Sequence, residues 1–258
     1  GDTIKYFVNS FSKEQDRSIG DVLKRMPGIE VLSDGKILYQ GRPINKYYIE
    51  GLDLLEGKYN LANENLPFKE VTQVQILENH QPIRALDSLK FSDQAALNIK
   101  LKNAYTFTGQ ARLGSGFSPL LWDANITPML FTKKKQMLIT YQANNTGDNV
   151  ASQLKKLTIE DLLNQFENNS EKTDWLSIQQ LTTPNFSEKR WLDNNIHLLS
   201  GNYLHKLKSD YELRVNASYL NDYQQQNGFT NTEFITPSNT ITILEEKQNH
   251  FFFNSLHV

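Results

Sequence analysis

The residue types that carry most enzyme chemistry are scarce and poorly spaced in this chain. Of the five histidines (His80, His197, His205, His250 and His257), no two stand at the i, i+4 spacing that sets a pair of imidazoles on one helical face around a metal. His80 lies in Asn79-His80-Gln81-Pro82, a turn sequence, and reads as a structural hydrogen-bond partner. Gly114-Ser115-Gly116 lacks the Gly-x-Ser-x-Gly spacing of a nucleophile elbow and reads as a β-turn or the start of a loop. Absence of cysteine removes thiolate nucleophiles, disulfides and Cys-based metal sites. No Gly-rich phosphate cradle is present. Glu50 and Asp53 form a carboxylate pair on paper, but read as polar surface groups. Asn-x-Ser/Thr matches at Asn144, Asn168 and Asn185 carry no weight in so Asn-rich a chain. No enzyme, cofactor or metal site is expected. A net charge of -2 gives no basic face for nucleic acid, and Lys133-Lys134-Lys135 reads as a solvated turn.

The elements that would position polar groups change character near residue 103. Before it, short helix and strand signals alternate with turns. Ser18-Ile19-Gly20-Asp21 has the form of a capping box with Asp in the acidic place, followed by an apolar stripe of Ile19, Val22, Leu23 and Met26 that Pro27-Gly28 ends. Residues 29–32 and 36–40, joined by Ser33-Asp34-Gly35, predict a hairpin, since Asp-Gly supplies the positive φ. Further strands are predicted at 47–49, 71–77 and 96–101, with a polar helix at 59–64. Together these make a small α+β unit of about 100 residues.

After residue 103, long segments alternate with period 2. Phe107, Gly109, Ala111 and Leu113 oppose Thr106, Thr108, Gln110 and Arg112; Trp122, Ala124, Ile126 and Leu130 oppose Asp123, Asn125, Thr127 and Met129. Met137, Ile139, Tyr141 and Ala143 oppose Leu138, Thr140, Gln142 and Asn144. Tyr211, Leu213, Val215, Ala217 and Tyr219 oppose Glu212, Arg214, Asn216 and Ser218. Segments 191–204 and 249–258 are strand-like, with ambiguous facing. Connections alternate between short (131–136, 205–210) and long (145–189, with a helix predicted at 158–166), the habit of outer-membrane barrels. Residues 222–240 predict a hairpin beyond the membrane. Trp122, Tyr203, Tyr211 and Tyr219 fit an interfacial aromatic girdle, though a soluble β-sandwich could hold the same aromatics as core. No run reaches the ~18 apolar residues of a membrane helix. The chain opens Gly1-Asp2-Thr3, without a secretory leader, and 251–258 ends without a turn residue. About six strands do not close a barrel around a ~100-residue unit, so the barrel is expected to be incomplete.

Five blocks in order carry a resemblance. Ser18-Ile19-Gly20-Asp21-Val22-Leu23-Lys24-Arg25-Met26-Pro27-Gly28-Ile29 resembles the helix ending in Leu-Pro-Gly-Val of the plug of TonB-dependent outer-membrane receptors. Gly35-Lys36-Ile37-Leu38-Tyr39-Gln40-Gly41-Arg42 is similar to the next plug strand, and Tyr47-Tyr48-Ile49-Glu50-Gly51-Leu52-Asp53 to the Tyr-x-Ile-Asp-Gly segment. Val71-Thr72-Gln73-Val74-Gln75-Ile76-Leu77-Glu78 resembles Val-x-x-Ile-Glu-Val-Leu, and Ala96-Leu97-Asn98-Ile99-Lys100-Leu101-Lys102 the closing plug strand. The run Leu77-Glu78-Asn79-His80-Gln81-Pro82-Ile83-Arg84-Ala85-Leu86 resembles a Bacteroidetes subfamily.

The resemblance implies an α+β plug domain (1–102) followed by antiparallel strands of an incomplete transmembrane β-barrel (103–258). It implies a cell outer-membrane location, with the plug accessible from the periplasm. Uptake of an extracellular nutrient would be driven by the TonB-ExbB-ExbD complex, with outer-membrane lipid around the wall and a surface lipoprotein as a possible partner. Where the common plug has Arg-Gly-Pro, this chain has Glu78-Asn79-His80, so that arginine's ion pairing does not transfer; Arg42 and Arg84 are its candidate substitutes. Candidate plug-gating and contact residues are Arg42, Glu50, Asp53, Glu78, Arg84 and Asp93. Candidate lumen-facing residues are Arg112, Asp123, Gln142, Glu212 and Arg214. Two other readings compete: a plug-barrel protein that binds or supports without transporting, and a soluble two-domain β-rich binding protein or enzyme with both strand faces covered.

Overall fold

A computed structural model describes residues 3–81, 92–157, 188–208, 211–235 and 239–258. The predicted helix at 158–166 and Arg84 lie outside the described residues.

The N-terminal unit is built on a four-stranded sheet. Its strands are β1 (Thr3–Phe7), β5 (Lys46–Ile49), β6 (Val71–Leu77) and β7 (Ala96–Leu101), in the order β1-β6-β7-β5. Only β5 and β7 run parallel. A second, three-stranded sheet joins β2 (Ile29–Val31), β3 (Ile37–Tyr39) and β4 (Arg42–Pro43). The predicted hairpin forms here, with Gly35 at φ +87° in its turn. Strand β4 has two residues, too few to alternate, and β1, though it alternates over its five residues, is missed by the sequence reading too. Helix α1 (Ile19–Leu23) buries Ile19, Val22 and Leu23, and the Asp21 carboxylate accepts the Ser18 N–H at 3.2 Å. Helix α2 (Asn60–Asn65) packs on it so closely that a Cβ on Gly20 would stand 2.9 Å from the Asn63 carbonyl oxygen. The Ile19 N–H donates to Leu66 O at 2.9 Å, tying the two helices together. Leu23, Ile37, Tyr59, Leu61, Val74, Ile76, Leu97 and Ile99 form the centre of one apolar core.

The second half is a six-stranded antiparallel meander. Its strands are β8 (Tyr105–Gly116), β9 (Leu121–Thr132), β10 (Lys135–Asn144), β11 (Asp193–Lys208), β12 (Tyr211–Ile235) and β13 (Thr240–His257), in chain order with β8 and β13 at the edges. Gly114-Ser115-Gly116 is not a turn. It is the end of β8, paired with Asp123, Trp122 and Leu121. Pro128 has no N–H to donate, and the β9–β10 register omits Pro128 and Thr127. There the Thr127 and Thr140 hydroxyls bridge the two strands at 2.6 Å. Gly109 faces Pro128, where a Cβ would meet the Pro128 Cα at 3.0 Å.

The β9–β10 turn and the start of β12 share one end of this sheet. The opposite end carries the turn at 117–120, the long connection after β10, and the β12–β13 hairpin. That hairpin continues past Gln225, the last β12 residue paired to β11, as the predicted hairpin at 222–240.

Candidate functional site

The sheet is inverted relative to one that packs in water. Across all six strands Ala111, Ile126, Tyr141, Leu199, Tyr219 and Leu256 fall in one register row. Phe107, Leu130, Met137, Tyr203 and Val215 form another, nearer the short-turn end. This face is open: Phe107 is 68% exposed, Ile126 48%, Ile139 39% and Val215 48%. The other face packs on the N-terminal unit, yet it carries Thr127 and Thr140 at 0% exposure and Gln142 at 2%. Strand β11, ambiguous in sequence, is mixed on its inner face, where Asn194, Ser200 and Asn202 are buried alongside Ile196, Leu198 and Leu204, while Leu199 on the outer face is exposed. A one-sided antiparallel sheet in water does the reverse. On β8 the apolar side runs from Tyr105 to Leu113, eight residues apart, or about 27 Å along the strand. With the 35–45° strand tilt of membrane barrels that is roughly 20 Å of height, close to their ~25 Å apolar band. Trp122, Tyr141 and His197 cluster on this outer face toward the long-connection end, the Tyr141 hydroxyl lying 3.0 Å from His197 Nδ1. Of the four predicted girdle aromatics, Tyr211 and Trp122 stand near strand ends. Tyr203 and Tyr219 lie well inside longer strands.

The inner face grips the N-terminal unit in two ways. Near the short turns Met129, Phe131, Leu138 and Leu204 join its apolar core. Beside them Gln136 Nε2 donates to Ile49 O at 2.7 Å. Higher up the contacts are hydrogen bonds between neutral groups, beginning with Asn125 Nδ2 to Asn65 Oδ1 at 2.9 Å. The segment following β10 turns inward, so Asn65 Nδ2 reaches Gln153 Oε1 at 3.2 Å, and Gln153 pairs amide-to-amide with Gln142 at 2.8 and 3.0 Å. Tyr59 OH donates to Leu157 O at 3.2 Å, and the Leu157 N–H to Gly57 O at 3.0 Å. Among the described residues one ion pair crosses the interface: Glu56 takes Arg214 on one oxygen and Asn216 Nδ2 at 3.1 Å on the other. Burial pushes the Glu56 carboxyl up, but Arg214 and Asn216 outweigh it and hold the group below the usual carboxylate range.

Between the two halves lies a polar cavity of about 380 Å³, at the end bearing the long connection. Lys24, Glu64 and Asn65 line it from the N-terminal unit, and Arg112, Gln142 and Asp148 from the sheet side. Surrounding protein raises the Glu64 carboxyl above its ordinary range, with Lys24 opposing. Asp148 pairs with Lys189 at 3.1 Å. Among the described residues no group of three or more His, Cys, Asp or Glu side chains could hold a metal.

The candidate residues fall into separate places. Arg42 pairs with Asp93, and the two share a surface hollow with Glu78, which accepts the Tyr39 hydroxyl at 2.7 Å. Burial and that carboxylate push Tyr39 up to about 12. Glu50 stays within the unit, bound to Lys100 Nζ at 2.8 Å and the Leu101 N–H at 2.6 Å. Asp53 binds Lys46 at 2.9 Å and accepts the Glu56 N–H at 3.0 Å, which shapes the loop presenting Glu56 to the sheet. Arg112 and Asp123 make a two-bond pair at 3.1 and 3.0 Å on the inner face of β8 and β9. Gln142 lies in the amide network, and Glu212 touches Arg214 at 3.5 Å. Sequence reading does not find Asn65, Glu56 or Gln153. Asn65 has one signal, its place in an Asn-rich helix, and nothing local marks Glu56 or Gln153.

No helix among the described residues is long and apolar enough to cross a membrane, which says nothing about strands. No family model matches the chain, and neither does any curated protein. Solved structures similar to it include the alcaligin outer-membrane receptor FauA from Bordetella pertussis (12% identity, TM-score 0.34). Others are the ferric-catecholate import receptor Fiu from E. coli K12 (11%, 0.28) and the copper transporter OprC (13%, 0.31). The matches cover 98%, 97% and 98% of this chain but 48%, 45% and 34% of theirs, so the chain spans less than half the length of each. TM-scores this low leave the fold to be argued from the chain's own geometry.

Proposed function

We propose that residues 1–102 are the plug, and residues 103–258 the first wall strands, of a TonB-dependent outer-membrane receptor of the Bacteroidetes type that takes up an extracellular nutrient. The observation that carries this reading is the inverted sheet: an apolar face left open and a mostly polar face closed over the N-terminal unit, whose apolar core it joins only near the short turns. Lipid satisfies the first, and a wet lumen holding a plug satisfies the second. The plug is held by bonds each worth about 1 kcal/mol, so a pull from the periplasm through TonB could break them in succession. Arg42, Glu50, Asp53, Glu78, Arg84 and Asp93 are its proposed contact and gating groups. The cavity beside Glu64 and Arg112 is the proposed reach of the ligand path.

These residues contain no cysteine, so single cysteines placed in them, with any elsewhere in the receptor replaced, make the facing directly testable. Single Ile126→Cys, Ile139→Cys and Val215→Cys variants of the whole receptor, labelled with a fluorophore in liposomes, should be quenched by brominated lipid. Thr127→Cys, Thr140→Cys and Asn216→Cys should not. Quenching of the second set, or none of the first, removes the membrane wall. Transport is tested in the host: deleting the receptor and deleting TonB should leave the same solute unconsumed in the medium. If only the TonB deletion does so, the protein binds or supports without transporting.

A further inference from the structure

Resting on the plug-and-wall reading, we infer that residues 148–157 are a strap inside the lumen. It is a second closure, distinct from the plug, that seals the seam between α2 and the inner face of β10–β12. It must leave that seam before solute can pass there. The turn that sends the chain inward is built for the purpose. Asn144, the last residue of β10, accepts the Thr146 and Asp148 N–H groups on Oδ1 at 3.1 and 3.2 Å. Asn194 of β11 accepts the Gly147 N–H at 2.9 Å. Gly147 stands at φ +78°, and a Cβ there would meet the Lys189 and Leu192 carbonyl oxygens at 2.9 Å.

From this turn to Leu157 the chain runs between wall and plug, and its sides match what they face. Val150 packs with Ile196 and Leu198, both 0% exposed. Those two stand on the inner face of β11 among Asn194, Ser200 and Asn202, where a wet lumen favours polar groups. The strap is what covers them. Leu154 touches this cluster and the core of the N-terminal unit, and Leu157 is buried in that core. Asn149, Ser152 and Gln153 instead line the polar cavity. Gln153 is the latch. Its amide exchanges bonds with Gln142 on the wall at 2.8 and 3.0 Å and accepts one from Asn65 on α2 at 3.2 Å. At the far end the Leu157 N–H donates to Gly57 O at 3.0 Å, and the Tyr59 hydroxyl donates to Leu157 O at 3.2 Å. Neutral bonds and a small apolar patch hold the strap shut, and each can be released singly.

The test places the whole receptor in planar bilayers in potassium chloride, with insertion read in parallel by bromolipid quenching at Ile126→Cys. Wild type should pass no current steps. The double variant Val150→Asp, Leu154→Asp sets carboxylates against Ile196 and Leu198 and should give discrete steps. Gln153→Ala should give briefer ones, and it decides the matter if the double variant does not insert. Joining Gln142→Cys to Gln153→Cys with a short bis-maleimide in the Val150→Asp background should silence the steps. Gln136→Ala removes a plug–wall bond without touching the strap and should stay silent. Inserted variants without steps, steps in wild type, equal steps in Gln136→Ala, or steps that persist after crosslinking overturn the inference. Absent quenching in wild type removes the wall and the strap with it, so the two failures are told apart.

Discussion

Asn65 offers the sharpest check on how the N-terminal unit is held. Its two strongest bonds out of the unit run 2.9 Å from the Asn125 amide and 3.2 Å to Gln153, with the Thr127 hydroxyl a longer third at 3.5 Å. Each is worth about 1 kcal/mol net. Asn65→Ala would strand the Asn125 amide, which is 4% exposed, at a further cost of about 1–3 kcal/mol. Gln153 would keep its pairing with Gln142, so no second orphan forms. The expected loss is about 3–5 kcal/mol, with a coupling to Asn125→Ala of about 1 kcal/mol. Native-state hydrogen exchange of the α2 amides in the whole receptor reads this as a local opening energy. Asn63 is an internal control: it is equally buried, but both its side-chain polar atoms lack partners, so Asn63→Ala should show no coupling to Asn125. A coupling between Asn65 and Asn125 below about 0.3 kcal/mol, within ordinary additivity, would refute the reasoning.

Ile139→Arg on the outer face should destabilise the receptor in liposomes by about 2–4 kcal/mol near the bilayer midplane, measured by denaturant titration. A face bathed in water would tolerate it within about 0.5 kcal/mol. Glu56 has its carboxyl pKa lowered in the folded state. Its contribution is therefore present above the unfolded value near 4.3 and disappears as pH falls through the lower folded value. Exchange of the 53–57 loop should accordingly accelerate between about pH 5 and 3, and Glu56→Gln should flatten that response. Gly35→Ala places a Cβ at φ +87° and against the Asn60 side chain. It should lower the denaturant midpoint by the equivalent of at least about 1–2 kcal/mol.

What was legible in the sequence is what local chain chemistry controls. Asp34-Gly35 makes a hairpin turn because Gly accepts positive φ. The Ile19, Val22, Leu23 stripe makes a helix because it repeats at the helical period. Alternation at 106–113 and 137–144 makes strands with two unlike faces, since side chains on a strand alternate sides. Periodicity is symmetric, however: it separates Ile139 from Thr140 without saying which of them the protein covers. Only packing of the sheet on the N-terminal unit decided that the threonine side is buried, and it also fixed β11, whose alternation is too mixed to read. The contacts that join the halves were equally hidden. Asn65 meets Asn125 across 60 residues and Glu56 meets Arg214 across 158, and no local preference encodes a partner at that separation. Such pairs exist because packing the sheet on the N-terminal unit brings their backbones together, and buried polar groups then require one another.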